Sequence, residues 1–324
     1  MSPRLPDDPT MRTVEFPLTS DLMSPLGPRC KRVQFDTYTF STPPTDIDLV
    51  RLAEFLRGYP DVALRIFGHP SSTTDLELLR HFSFLKRFHC EIFELRSLEG
   101  VRYLPDGLRE FGLGRTRRRF PLGFIKRFRG LEDLYLEGHS KEFDAVGELT
   151  NLEELTLRSV TIPSLEPLAK LSKLWWLDIK LGGTRNLTGL QSLTGLKYLE
   201  LWRIRGFDDL NPVSDLSGLQ YLFLEDLSRV TRLPSMAKLG QLRRLDLWNL
   251  SRLQDLSPLM EARALEELGI GARHLQREDF EILKNHPSLK RLSVGTGSAR
   301  RDREIVEMLG LSESTSNKWQ FDFR

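Results

Sequence analysis

Bulky apolar residues stand at the first, fourth and sixth positions of a short segment that returns every 21 to 24 residues, from the step Leu131 to Leu152 (shortest) to the step Leu265 to Leu289 (longest). Copies open at Leu131, Leu152, Leu174, Leu196, Leu219, Leu242, Leu265 and Leu289. The copy at Leu174 reads Leu174, Leu177, Ile179, and the last reads Leu289, Leu292, Val294. Looser copies at Leu85, Phe88, Cys90 and at Leu108, Phe111, Leu113 precede them. Alternation at the fourth and sixth positions predicts a strand that sends those two side chains into a core and turns the third, fifth and seventh to the opposite face. Between strands, Leu165, Leu168 and Leu171, Leu187, Leu190 and Leu193, Leu210 and Val213, and Leu256 and Leu259 are spaced by three, which predicts a short helical or 3-10 turn. One such unit cannot bury its apolar face alone, so neighbours must stack.

The ends depart from this rhythm. Pro3, Pro6, Pro9, Pro17 and Pro25 predict a flexible arm over residues 1–28. Val33 and Phe35, alternating with polar residues, suit a first strand. Thr45 to Arg57 carries an apolar stripe behind Asp46, which suits a helix, and Val62, Leu64 and Ile66 suit another strand. Residues 29–84 therefore read as an N-terminal cap with an irregular first repeat, and 85–295 as the regular array. Residues 296–324 read as a C-terminal cap: a helix over Asp302 to Leu309 stopped by Gly310, then an alternating stretch with Trp319, Phe321 and Phe323 on one face.

Self-similarity at this period predicts an α/β leucine-rich-repeat solenoid, curved, with a parallel sheet on its concave face, short helical or 3-10 turns on its convex side and irregular caps at both ends. The repeats resemble the short bacterial, internalin-like type, most clearly over Leu165 to Leu177, where Leu165-Glu-Pro-Leu168-Ala-Lys-Leu171-Ser-Lys-Leu174 matches that family's return segment. The resemblance implies the fold and a binding role. One departure concerns the turn: the family's Asn, eight positions after the first Leu, is replaced by His139, Val160, Gly182, Ile204, Leu227, Leu250 and Arg273. Apolar packing must therefore hold these turns.

Composition narrows the function classes. With 47 basic and 45 acidic residues, net charge +2, the chain as a whole does not favour nucleic acid. No apolar run reaches the roughly 20 residues of a membrane span. The first residues lack a basic start and an apolar stretch, and Cys30 and Cys90 are too few for disulfide caps, which together predict a reduced, cytoplasmic setting. His69, His81, His89, His139, His274 and His286 show no metal-ligand spacing. Cys90, at a sixth position, reads as a buried thiol. Gly295 and Gly297 lack the third glycine of a phosphate loop, since Arg300 stands there. The expectation is a protein without catalytic activity, cofactor, metal or small-molecule substrate.

The candidate site is aromatic. Trp176, Tyr198 and Tyr221 hold third positions, Phe223 a fifth, Trp202 and Trp248 sevenths and Trp175 a second, so four of the five tryptophans fall in one window. That window spans three strand spacings, about 14 Å. Asp178, Glu200 and Asp246 at fifth positions interleave carboxylates with the rings, which suits a partner protein presenting a basic segment. A rival surface is the run Arg115, Arg117, Arg118, Arg119, Lys126, Arg127 and Arg129, seven cations in fifteen residues with no acid between them. There Phe120, Phe124 and Phe128 recur at helical spacing. This patch suits an acidic partner, phosphate or nucleic acid.

Overall fold

The computed structural model describes residues 8–38, 42–69, 71–271, 273–314 and 321–323. They form two compact units, residues 1–145 and 146–324. The first unit pairs, in chain order and all parallel, β1 (Met11–Val14), β2 (Arg32–Asp36), β3 (Ala63–Gly68), β4 (Arg87–Ile92), β5 (Glu110–Leu113) and β6 (Asp133–Glu137). The second does the same with β7 (Glu154–Arg158), β8 (Trp176–Lys180), β9 (Tyr198–Trp202), β10 (Tyr221–Glu225), β11 (Arg244–Trp248), β12 (Glu267–Gly271), β13 (Arg291–Val294) and the short β14 (Ser312–Glu313). This is a leucine-rich-repeat solenoid.

Register explains the leucine pattern. Leu177, Leu199, Leu222, Leu245, Leu268 and Leu292 pair directly, strand to strand, so equivalent positions stack and each repeat buries its leucines against the next. All six are fully buried. The return path is a 3-10 segment in most repeats: Glu77–His81, Glu99–Tyr103 and Gly123–Arg127 in the first unit, and Glu166–Leu168, Leu190–Ser192, Asn211–Asp215, Ser257–Glu261 and the longer Arg277–Asn285 in the second. Leu168 N–H bonds Leu165 O at 2.9 Å, and Leu171 N–H bonds Leu168 O at 2.9 Å, so spacing by three sends successive leucines inward. Pro167, Pro212 and Pro258 are each the second residue of their segments, within the first turn, where an N–H has no intrahelical acceptor.

The turns dispense with asparagine in two ways. Ser159, Leu181, Arg203, Asp226 and Asn249, one at the eighth position of each of five successive repeats, are left-handed, with φ between 51° and 58°. Each donates its N–H to the seventh-position carbonyl of the next repeat (Lys180, Trp202, Glu225, Trp248 and Gly271), extending the ladder by one bond before the chain turns. The next residues, Val160, Ile204, Leu227 and Leu250, are buried beneath that turn, as apolar packing requires. In the copy at Leu131 the ring of His139 takes over: Phe120 N–H donates to Nδ1 at 3.2 Å, and Nε2 donates to Gly114 O at 3.2 Å.

The ends differ from expectation in two respects. Residues 8–28 are not a flexible arm. Pro9, Pro17 and Pro25 flank Met11–Val14 instead of interrupting it, so those four residues are free to pair with β2. The Phe16 ring meets Phe35 edge-on at 5.2 Å, and Leu18 N–H bonds the buried Asp48 carboxylate at 3.0 Å. Asp48 belongs to α1 (Asp46–Arg57), where it also closes a capping box with Thr45. At the other end α2 (Ala299–Leu309) starts three residues earlier than predicted, because Ser298 caps it, and stops at left-handed Gly310. Trp319 lies outside the described residues. Among the described residues no helix is long and apolar enough to cross a membrane.

Candidate functional site

The strand registers sort the candidate residues into rows. Trp176, Tyr198 and Tyr221 pair in sequence along the third-position row, and Arg244, Glu267 and Arg291 continue it. Asp178, Glu200, Phe223, Asp246 and Gly269 form the fifth-position row, and Lys180, Trp202, Glu225, Trp248 and Gly271 the seventh. Nine of the ten aromatic and acidic candidates therefore share one sheet face across β8 to β11, and Trp175, just before β8, packs against Trp176 at its edge.

Burial divides them. Trp175, Trp176, Trp202, Phe223 and Trp248 are half-buried, whereas Tyr198 and Tyr221 are fully buried. Trp176 lies flat on Tyr198, centroids 3.6 Å apart and planes 15° off parallel, and Tyr221 meets Tyr198 edge-on at 5.1 Å. The rings thus form a layered bed, and the exposed apolar area is smaller than seven separate aromatics would give.

The carboxylates are occupied by the chain itself. Tyr198 donates its hydroxyl to Glu200 at 2.6 Å, and Tyr221 donates to Asp246. Arg244 joins Asp246 at 2.9 Å and approaches Glu267 at 3.7 Å, while Lys180 bridges Asp178 and Glu200. Asp178, Glu200 and Asp246 are at most 5% exposed. Burial first, and the adjacent carboxylates second, push both tyrosine hydroxyls far above their ordinary range, so they act only as neutral donors. The Arg244 guanidinium also caps the Tyr221 ring at 4.8 Å. These acids hold the rings in place and present little charge to a partner.

Two features escaped the sequence reading. Trp248 lies over glycines: a Cβ at Gly271 would come within 2.3 Å of its Cε3, and one at Gly269 within 3.1 Å of its Cζ2. The sequence signal was available, because fifth- and seventh-position glycines in one repeat follow a seventh-position tryptophan in the repeat before. The second is that the chain's own Phe321, Asp322 and Phe323 reach this face. Phe323 contacts Trp175, Trp176 and Tyr198, and Phe321 contacts Tyr221.

The first unit carries a different sheet face, polar and ionic. Arg65 grips Glu91 through Nε at 2.8 Å and Nη2 at 2.5 Å and donates to Gln34 at 2.7 Å. Glu110 accepts from Arg87 at 2.6 Å and pairs with His89. Burial alone would raise the Glu110 carboxyl, but His89 and Arg87 outweigh it and hold it down at about 2. Cys90 is fully buried, its thiol pushed up to about 12 by burial, which removes it from nucleophilic chemistry. Among the described residues no His, Cys, Asp or Glu cluster is arranged to hold a metal ion.

The arginine run does not form the expected helix. A five-residue 3-10 segment, Gly123–Arg127, replaces it, and Phe120 and Phe128 are buried with Phe124 half-buried. Pro121 and Gly123 break the helical pattern, and the repeat length leaves room for only one tight turn. Arg127 is taken up by Asp106 at 2.8 Å and by the carbonyl of Leu104, and Arg115 lies 6.0 Å above Phe93. Arg117, Arg118, Arg119 and Lys126 are exposed, and among the described residues no carboxylate pairs with them.

The fold and this ring-lined sheet face define a leucine-rich-repeat protein. An internalin (inlF) of Listeria monocytogenes is similar in structure, with a TM-score of 0.55 and 17% identity over 90% of this chain and 82% of that one. The chain in a TLR13–ssRNA13 complex gives a TM-score of 0.51 and 17% identity over 85% of this chain but only 41% of its own length. At this identity the likeness is one of fold. Neither protein-family models nor curated proteins give a match to the sequence.

Proposed function

We propose that this chain is a non-catalytic protein-binding module that recognises a partner protein through the sheet face of β8 to β11. The observation that carries the reading is the pairing of accessible rings with a rigid bed. Trp175, Trp176, Trp202, Phe223 and Trp248 are partly exposed, Trp176 lies stacked on Tyr198, and Tyr198 and Tyr221 are themselves tied to Glu200 and Asp246. Preorganised aromatic anchors lose little freedom on binding and serve as interface hot spots. With Asp178, Glu200 and Asp246 engaged internally, recognition rests on apolar and aromatic contact, and selection of a basic segment falls to the rim. The test is affinity capture from native lysate with wild type beside Trp175→Ala plus Trp202→Ala, two half-exposed rings whose loss leaves the leucine core intact. A partner lost by the double variant supports the proposal; an unchanged set of captured proteins overturns it.

A second reading is kept alive by the unpaired Arg117, Arg118, Arg119 and Lys126. On that reading the first unit binds an acidic or phosphate-bearing chain. Nucleic-acid binding by this patch would weaken steeply with salt, since each neutralised phosphate contributes about −0.7 to −0.9 to the log–log slope. Arg117→Glu with Arg118→Glu would abolish it. Binding that ignores both salt and charge reversal removes this reading.

A further inference from the structure

We infer that the ring-lined face is a receptor for an extended segment carrying two phenylalanines one residue apart, and that the chain's own Phe321, Asp322 and Phe323 are its resident, displaceable occupant. This inference rests on the reading of that face as a recognition surface, and it adds what the surface recognises and what a partner must displace.

The contacts are those of a bound peptide. Phe323 meets Trp175 at 5.4 Å, Trp176 at 5.9 Å and Tyr198 at 6.0 Å, all edge-to-face. Phe321 sits 5.2 Å from Tyr221 and 4.8 Å from Phe323, with the Arg243 guanidinium 5.1 Å from its ring. Arg243 Nη1 also donates to the main-chain carbonyl of Asp322 at 2.8 Å. Side chains at i and i+2 enter the ring bed, the residue between them is exposed, and a main-chain oxygen is held by a fixed donor. The last contact depends on no side chain of the segment, so any chain with the same two rings could make it.

The tail is not closing the core. Its rings meet Trp175, Trp176, Tyr198 and Tyr221, all at the sheet face, whereas at the C-terminal end α2, with Ile305 buried, packs on β13 and on Arg277–Asn285. Phe321–Phe323 instead returns to the rings of β8 to β10, four to six strands before β14, on the sheet face. A tethered segment competes at an effective concentration on the order of 1 mM, so a partner segment of ordinary micromolar affinity is suppressed until it outcompetes the tail or is linked to further contacts.

The experiment uses the full chain and a fluorescein-labelled peptide, Lys-Trp-Gln-Phe-Asp-Phe-Arg, the sequence of residues 318–324. Its binding is titrated against wild type and against Phe321→Ser plus Phe323→Ser, which empties the face without altering it. The expected result is binding to the double variant at least about tenfold tighter than to wild type, and loss of that binding when both phenylalanines of the peptide are serine. Equal affinity for the two proteins, or no binding to either, overturns the inference. If the double variant melts early, saturating peptide added in trans must restore its melting temperature, and failure to do so is equally decisive against it. No natural partner is needed. Peptide binding with an unchanged lysate capture would therefore leave tail occupancy standing and remove the proposed function, while altered capture with equal peptide affinities would do the reverse.

Discussion

His139 fills a place that the resemblance would give to asparagine, and it does so by bridging two buried main-chain groups, Phe120 N–H and Gly114 C=O. His139→Ala strands both, at a cost of about 2–4 kcal/mol in urea unfolding, and His139→Asn should lose less because it keeps a donor and an acceptor. Burial, which penalises the charged form, holds this imidazole below its ordinary value of 6.5, and the nearby Arg119 acts in the same direction. A lowered folded value means stability that is present above about pH 6.5 and lost as the pH falls below it. Removing His139 should therefore flatten part of the stability loss between neutral and mildly acidic pH; His286, lowered by burial, contributes in the same direction. A second residue-scale prediction concerns the left-handed turns. Asn249 is exposed at φ 56°, so Asn249→Val tests backbone strain with little loss of packing. It should cost about 1–2 kcal/mol, with Asn249→Gly neutral or stabilising. None of this was visible in residue type. Ser, Leu, Arg, Asp and Asn occupy the five equivalent left-handed positions, so the turn is imposed by the ladder and the buried residue after it, not by a local preference.

Elements were legible where one face is buried and the period is strict. The strands of the array, the 3-10 return segments and α1 all follow from apolar spacing, because each position is committed by burial. Legibility stopped where a contact depends on the register between repeats. Phe120, Phe124 and Phe128 share a helical spacing, yet Pro121, Gly123 and the short return path allow only one 3-10 turn. The nesting of Trp248 on β12 is likewise a relation between two strands. Gly271 has no side chain at a seventh position, and the indole from β11 occupies the space. Gly271→Ala places a methyl group 2.3 Å from Cε3, so the ring must move toward solvent. The expected outcome is a red-shifted tryptophan emission and a stability loss of about 1–3 kcal/mol. Gly240→Ala, where a Cβ meets nothing within 4 Å, is the matched control and should change neither. A Gly271→Ala protein with unaltered emission would show that the ring is not seated on this backbone.

Across the whole chain the array and the main elements of its ends were legible, and β1 and the return of Phe321–Phe323 to the sheet face were not. Inside the array each repeat meets only its neighbours, so a local pattern is enough; β1 pairs with β2 one repeat's length away but lacks the leucine pattern, and Phe321–Phe323 meets rings 100 to 148 positions earlier, which no period records. The same division gives a test of the molecule as a whole. All five tryptophans fall after Ala145, so indole fluorescence reports the second unit alone, while far-UV dichroism reports both. In the first unit, Glu110 is held at about 2 against an ordinary 4.5 because the bonds and charges of His89 and Arg87 overcome the burial penalty. Glu91, buried beside Arg65, is lowered in the same direction. A depressed carboxyl contributes stability that is complete above about pH 4.5 and is withdrawn as the pH falls toward 2. Acidification through that window should therefore weaken residues 1–145 first. Dichroism should fall before the tryptophan emission shifts, giving two transitions that do not coincide. Glu110→Gln, already deprived of its charge pair, should begin less stable at neutral pH and show a smaller further loss on acidification. Superimposable acid transitions from the two probes would show that the array unfolds as one cooperative body and that the ionic face of the first unit does not set its acid limit.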